Sequence, residues 1–458
     1  MLHALRLGRL SLTLSCAAAL AAQAPSGWLD PGSTITSIVT APAQPAASLS
    51  PQGGMLVMRT REALPDVAVI ARPHLKLAGM RIDGATWGRQ LSTRTTALTI
   101  QKLPSGDVHR VPIEADHWGA PIWSADDRAF ALLRERDGGA ELYVCDPWDA
   151  APKLVEGVRV NQVLGTPVQW MPDQRRLLVR AVVAGATPQR PRVPAGPIIQ
   201  QTVRSQNAQV RTYQDLLQDS HDEDLLEFYG RSQLVVVDGG EVAKVGAPRM
   251  YARATPSPDG ALLLVEAIER PFSFVVPVYR FPRRVEVVDM SGEVQRMITE
   301  QRLNDAIPIG GVQRGPRSVR WVPTAQRALC WFEAQDEGDP KVAAPHRDFA
   351  FLLTAPDATP RLWYKTEFRA GAVQFGGDGQ LVLTSESDRK TRTERVWRRD
   401  LTRPGESGEL LYERSRQDAY SDPGRPMMER TRILSDTPGI PGFNEHTPRT
   451  TRSISTPA

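Results

Sequence analysis

Serine hydrolases of the α/β type present their nucleophile on a Gly-x-Ser-x-Gly turn between a strand and a helix. This chain holds no such string. Its nearest approach is Gly405-Glu406-Ser407-Gly408, which lacks the second spacing and a flanking strand. The triad also needs a carboxylate and a histidine after the serine, and His446 alone follows Ser407. The other histidines, His3, His74, His109, His117, His221 and His346, are scattered without metal-ligand spacing. His221-Asp222-Glu223-Asp224 gathers ligand types, but Ser220 or Asp222 as a helix cap, with acids at the positive helix end, accounts for it better. Asp137-Gly138-Gly139, Asp238-Gly239-Gly240 and Asp378-Gly379 read as hairpin turns rather than calcium loops. The expectation is a chain with no catalytic residue, no metal and no cofactor of its own.

One charged group stands out. Arg270, Arg280, Arg283 and Arg284 fall together among aromatic and proline residues. They are candidates for attracting an anionic ligand. The competing expectation is a solvated strand edge with local ion pairs, such as Arg284 with Glu286. The formal net charge is only +4 and no Lys/Arg block occurs, which argues against nucleic acid as a partner. Cys145 and Cys330 each sit in an apolar run and read as buried free thiols.

The elements that would carry these residues repeat. Trp123-Ser124-Ala125-Asp126 precedes an alternating apolar run. Related turns stand at Trp170-Met171-Pro172-Asp173, Pro256-Ser257-Pro258-Asp259, Trp321-Val322-Pro323-Thr324 and Phe375-Gly376-Gly377-Asp378, with a truncated one at Leu49-Ser50-Pro51-Gln52. Strand repeats of this length imply an all-β fold, a β-propeller of about six to seven four-stranded blades over residues 48–430. The ring is expected to be incomplete. The clearest unit reads Ala129 to Leu133, a turn at Asp137-Gly138-Gly139, then Glu141 to Asp146. Surplus length marks an insertion at about 71–97 and a larger, helical one at about 184–230. In the latter, Tyr213, Leu216 and Leu217 share a face that Leu225, Leu226 and Phe228 continue.

Residues 1–24 have Arg6 and Arg9, an apolar stretch from Leu10 to Ala22 and small residues near Ala21, the layout of a signal peptide. Export to the periplasm or the medium is expected, and no later apolar run is long enough to span a membrane. Residues 25–47 read as a linker with a short helix capped by Ser33 or Thr34. Residues 431–458 are rich in Pro, Thr, Ser and Arg and read as disordered.

Longer strings carry a family likeness. Arg211-Thr212-Tyr213-Gln214-Asp215-Leu216-Leu217, Arg270-Pro271-Phe272-Ser273-Phe274 and Tyr279-Arg280-Phe281-Pro282-Arg283-Arg284-Val285-Glu286-Val287 resemble the propeller of prolyl oligopeptidase-family serine peptidases, in the glutamyl endopeptidase branch. So do Leu77-Ala78-Gly79-Met80-Arg81-Ile82-Asp83 and Ile307-Pro308-Ile309-Gly310. The likeness runs from about Ile35 to about Met428. It implies a seven-bladed propeller that caps a C-terminal α/β-hydrolase domain and admits peptides. The expected role is therefore the substrate gate of an exported peptidase, truncated before its catalytic domain, with peptide substrates reached through a missing or separately encoded hydrolase part. The alternative is a free-standing peptide- or protein-binding scaffold.

Overall fold

The computed structural model describes residues 31–41, 43–90, 94–114, 116–148, 151–193, 196, 212–377 and 379–424, and the backbones of four short strands after them. The proposed signal segment lies outside the described residues. Two units are distinguished, residues 1–43 and 44–458. Of the first, helix α1 (Ser33–Val39) is described. Its N-cap is Gly32, with no side-chain cap, rather than Ser33 or Thr34.

The second unit consists mainly of antiparallel four-stranded meanders, six of them among the described residues. Blade 1 is Ala46–Leu49, Met55–Arg61, Thr95–Lys102 and Val108–Val111. Blade 2 is Ile122–Trp123, Phe130–Arg134, Ala140–Cys145 and Lys153–Val160. Blade 3 has Val168–Trp170, Leu177–Val182 and Ser232–Asp238, and it shares the long strand Glu241–Pro256 with blade 4. Blade 4 continues through Leu262–Ile268, Arg283–Asp289 and Val294–Gln301. Blade 5 is Arg317–Trp321, Leu329–Ala334, Asp348–Leu353 and Arg361–Thr366. Blade 6 is Arg369–Phe375, Leu381–Ser387, Thr393–Asp400 and Glu409–Ser415. Beyond it, Met428–Glu429 pairs with Thr447–Pro448 and Arg432–Leu434 with Pro441–Phe443, two short ladders where the sequence predicts irregular chain. The rest of that tail lies outside the described residues.

The apolar runs follow from stacking these sheets face to face. Successive side chains of a strand point to opposite faces. Phe130 and Leu132 accordingly enter the layer shared with blade 1, beside Leu98 and Ile100. Ala131 and Leu133 enter the layer shared with blade 3, beside Val179 and Val237. Leu263 and Val265 face blade 3, whereas Leu262 and Leu264 pack with Leu329 and Trp331 of blade 5. Phe332 and Trp363 meet Phe375 and Val382 across the last boundary. Cys145 and Cys330 are buried in different layers as free thiols, and burial pushes both up to about 12.

In blades 2 and 4 the Ser-x-Asp turn is a hydrogen-bond device joining the first strand to the second. Ser124 Oγ donates to Asp126 Oδ1 at 2.8 Å and accepts from the Ala129 N–H at 3.0 Å. Ser257 and Asp259 repeat this at 2.5 Å, with Leu262 N–H donating to Ser257 Oγ at 3.0 Å. In blade 1 Gln52 replaces the aspartate, and Ser50 Oγ donates instead to Asp127 of blade 2 at 2.6 Å. First strands also bond from blade to blade: Gln169 Nε2 donates to the Ala254 carbonyl and Arg253 to the Val319 carbonyl. Those bonds put the first strands at the hub of the fan.

Candidate functional site

Strands alternate direction in a meander, so every connection from second to third strand leaves at the same end of the fan. Three of these connections are long. The blade 1 connection holds α2 (Val67–Ile70), capped by Asp66, and a small sheet of Leu75–Leu77, Met80–Asp83 and Gly88–Arg89. It spans 62–94, a few residues ahead of the expected 71–97. The blade 3 connection ends in α3 (Ser220–Gly230), and the blade 4 connection turns through Val278–Arg280. The three pack on one another around Ile82, Trp87, Leu226, Tyr229, Phe272 and Phe281.

Contact between them is close at the Ala78-Gly79 turn. A Cβ on Gly79, which has φ +82°, would stand 2.8 Å from Pro277 Cβ. The Gly79 N–H donates to the Asp215 carbonyl at 2.7 Å, and the Val278 N–H to the Ala78 carbonyl at 2.9 Å. The cap is thus stitched from three distant stretches of chain.

Helix α3 is shorter than the sequence predicts. Tyr213, Leu216 and Leu217 precede it in non-helical chain, although Tyr213 and Leu217 still reach the same core. Its cap is Asp219, whose Oδ1 accepts from the Asp222 N–H at 2.9 Å, rather than Ser220 or Asp222. Asp222 instead reaches back to the Gln218 N–H at 2.9 Å, just ahead of the cap, so the two carboxylates close the helix start reciprocally.

The four candidate arginines separate into three that are neutralised and one that is not. Arg270 donates to Glu227 at 2.9 Å, Glu223 at 3.2 Å and Asp224 at 3.3 Å, and lies over the Phe272 ring at 4.7 Å. Arg283 pairs with Glu266 at 3.4 Å. Arg284 pairs with Glu269 at 3.4 Å and Glu300 at 3.2 Å, not with Glu286. Glu286 is fully buried and is taken by Arg249 from the long strand Glu241–Pro256, two strands away. Arg280 has no carboxylate partner among the described residues. Its guanidinium sits 5.6 Å from the Tyr213 ring and 6.0 Å from the Tyr279 ring, and Nη1 donates to the Asn304 carbonyl at 3.4 Å. Two aromatic faces stabilise a cation without cancelling its charge, and Tyr279 is exposed.

Sequence reasoning missed a buried ionic knot at the same end of blades 5 and 6. Asp336 and Asp348 are both fully buried. Asp348 accepts from Arg317 at 2.6 Å and Arg369 at 2.7 Å, and Asp336 from Arg347 at 2.9 Å and Arg369 at 2.5 Å. Arginines opening the first strands and acids flanking the second and third were the available signal. The Gly405-Glu406-Ser407-Gly408 string lies in the turn joining the last two strands of blade 6, with no helix after it among the described residues. His446 lies outside the described residues.

Stacked four-stranded meanders, hub-joined by their first strands and carrying a cap on one end, define a propeller scaffold. No protein-family model matches the chain. It is 36% identical over 428 residues to a probable chloroplastic glutamyl endopeptidase of Oryza sativa subsp. japonica, covering 88% of this chain and 45% of that protein. A protein of the same description from Arabidopsis thaliana is 35% identical over 434 residues, 89% of this chain and 44% of that one. The chain spans under half the length of these relatives. Among solved structures, the β-propeller domain of the Trilobed protease from Pyrococcus furiosus aligns at a TM-score of 0.38 and 10% identity, over 83% of this chain and 99% of that one. An acylaminoacyl peptidase from Pyrococcus horikoshii aligns at 0.39 and 13%, over 79% and 46%. The chain is thus a propeller whose sequence is similar, over almost nine tenths of its length, to proteins named probable glutamyl endopeptidases.

Proposed function

We propose that this chain is the non-catalytic gate of an exported serine peptidase, admitting acid-bearing peptides to an α/β-hydrolase part that supplies the nucleophile. The observation that carries the reading is Arg280, a cation on the cap set beside two tyrosine rings and without an ion-pair partner among the described residues. An uncompensated guanidinium at an entrance raises the local concentration of anionic peptide and steers its approach. The relatives named glutamyl endopeptidases support an acidic peptide as the ligand. The absence of a Gly-x-Ser-x-Gly string supports a gate rather than a hydrolase for these residues. The layout of residues 1–24 supports export.

The test is fluorescence anisotropy of the full chain with a labelled Glu-containing peptide and its Gln counterpart. Preferential binding of the Glu peptide, weakened several-fold by Arg280→Gln and by added salt, supports the gate. Equal binding of both peptides overturns it. Hydrolysis of the Glu peptide by the chain, beyond that of a mock purification, overturns the non-catalytic part.

A further inference from the structure

A second uncompensated arginine lies far from the cap, at the opposite ends of the strands. Arg399, on the third strand of blade 6, is 9% exposed. Its Nε donates to Thr384 Oγ1 at 3.0 Å, and its guanidinium lies 4.1 Å from the Tyr364 ring centre and 5.4 Å from that of Trp397. The two Nη groups have no acceptor, and no carboxylate is in ion-pair range, among the described residues. The other buried arginines differ. Arg180 donates Nη1 to the Leu164 carbonyl at 2.6 Å and to the Tyr251 carbonyl, and Arg94 pairs with Glu135 at 3.5 Å. With Nε taken by Thr384, the remaining Nη edge of this largely buried guanidinium is left to water or to a ligand from solvent.

The free edge of Arg399 borders a cleft of about 360 Å³ between blades 5 and 6, walled by Trp363, Tyr364, Gln380, Ser407 and Gly408. A Cβ on Gly408 would stand 3.2 Å from Arg399 Nη1, so the missing side chain there keeps the guanidinium approachable. At the rim, Arg398 pairs with Glu409 at 3.5 Å, and Arg403 with Asp400 at 3.6 Å and Glu406 at 3.8 Å. Those charges pair with one another, leaving Arg399, supported only at longer range by Glu386, as the one charge of the cleft lining without an ion pair.

We propose that this cleft binds the carboxylate of an amino-acid-sized molecule or side chain, held end-on by Arg399 Nη1 and Nη2. A planar two-oxygen anion matches the edge of a guanidinium whose Nε is already committed. Three carboxylates at the rim oppose a doubly charged anion such as phosphate. The site is independent of the cap and of Arg280.

The full chain is titrated with sodium acetate, sodium glutamate, a blocked Ala-Glu-Ala tripeptide and sodium phosphate, with sodium chloride at matched ionic strength as reference. Intrinsic fluorescence is the readout, since Trp363 and Trp397 stand at the site. A saturable response to acetate and glutamate, weaker for phosphate and absent for chloride, is expected. A response to the tripeptide as well assigns the carboxylate to a peptide side chain; response to the free acids only assigns it to small molecules. Arg399→Lys, which keeps the charge but not the fork, weakens the response at least ten-fold. Ser407→Glu, on an exposed turn, abolishes it by supplying a carboxylate from the chain itself. No saturable response to any carboxylate, phosphate binding as tightly as acetate, or a response that survives Ser407→Glu each overturns the proposal.

Discussion

The indole N–H of Trp321 donates to the carbonyl of Thr255 at 2.9 Å, crossing from blade 5 to blade 4 at the hub. Trp170 makes the same bond to the Ile122 carbonyl of blade 2 at 2.8 Å. In blades 3 and 5 the tryptophan anchor of the repeat thus ties a sheet to the one before it. Trp123 holds the same place in blade 2, yet its Nε1 is buried without a partner. Leaving a buried polar group without its partner costs about 1–3 kcal/mol, more than a made bond contributes. Trp321→Phe should therefore destabilise the chain by about 1–2 kcal/mol, because it strands the Thr255 carbonyl. Trp123→Phe, which removes an unsatisfied donor, should be neutral or slightly stabilising. Urea unfolding midpoints of the two variants check this, and equal losses refute it.

Acid should loosen the blade 1–blade 2 boundary first. Burial alone would raise the Asp116 carboxyl, but hydrogen bonds from the Arg136 guanidinium, the His117 N–H and the Arg134 guanidinium hold it well below the usual carboxylate range. A depressed carboxylate contributes stability that is complete above its unfolded value, near ~4, and is lost as pH falls through the folded value. Stability should be flat above about pH 5 and fall below about pH 4. Asp116→Asn should lower stability at neutral pH by about 1–3 kcal/mol. It should also flatten the acid slope, which urea midpoints between pH 6 and pH 2.5 would show.

The cap helix depends on one side chain at its start. Asp219 accepts the Asp222 N–H and is paired with Arg190 at 2.7 Å. Its carboxyl is held below the usual range, first by the Asp222 N–H and then, against some burial, by Arg190. Asp219→Ala should cost about 0.5–2 kcal/mol. The loss should be local: amide exchange in 220–230 should accelerate while the Leu262–Ile268 strand stays protected. Uniform acceleration of both would show that cap and propeller unfold together.

The propeller was legible because its signal is local. Leu262 to Val265 read as a strand from apolar content alone, and Ser257-Pro258-Asp259 marked the turn ahead of it. The family strings around Arg270 and Arg280 were equally legible, since they are contiguous. Partners were not. Arg284 and Glu286 look paired at two residues' separation, but Glu300 stands directly opposite Arg284 in the cross-strand register, and Arg249 claims Glu286. Helix α3 was overextended because Tyr213 and Leu217 do join its core from non-helical chain, which period counting cannot distinguish from helix. Arg399 went unnoticed because its distinction is an absence of partners, which depends on Tyr364 and Thr384 arriving from other strands.

The arginines that sequence singles out are not those that matter most for stability. Arg284 pairs with Glu300, but both side chains are more than a third exposed, and solvent screens such pairs to about 0–1 kcal/mol. Arg284→Ala should lie in that range. Asp348 is fully buried and accepts Arg317 at 2.6 Å, Arg369 at 2.7 Å and the Ala370 N–H at 2.7 Å. Asp348→Ala leaves Arg317 buried without a counter-ion and takes from Arg369 one of its two carboxylates. Removing one partner of such a knot costs about 3–5 kcal/mol. The Asp348 variant should unfold at much lower urea than the Arg284 variant, and its loss should be little relieved by salt, because the charges are shielded from solvent. If the two variants unfold together, the knot does not anchor blades 5 and 6.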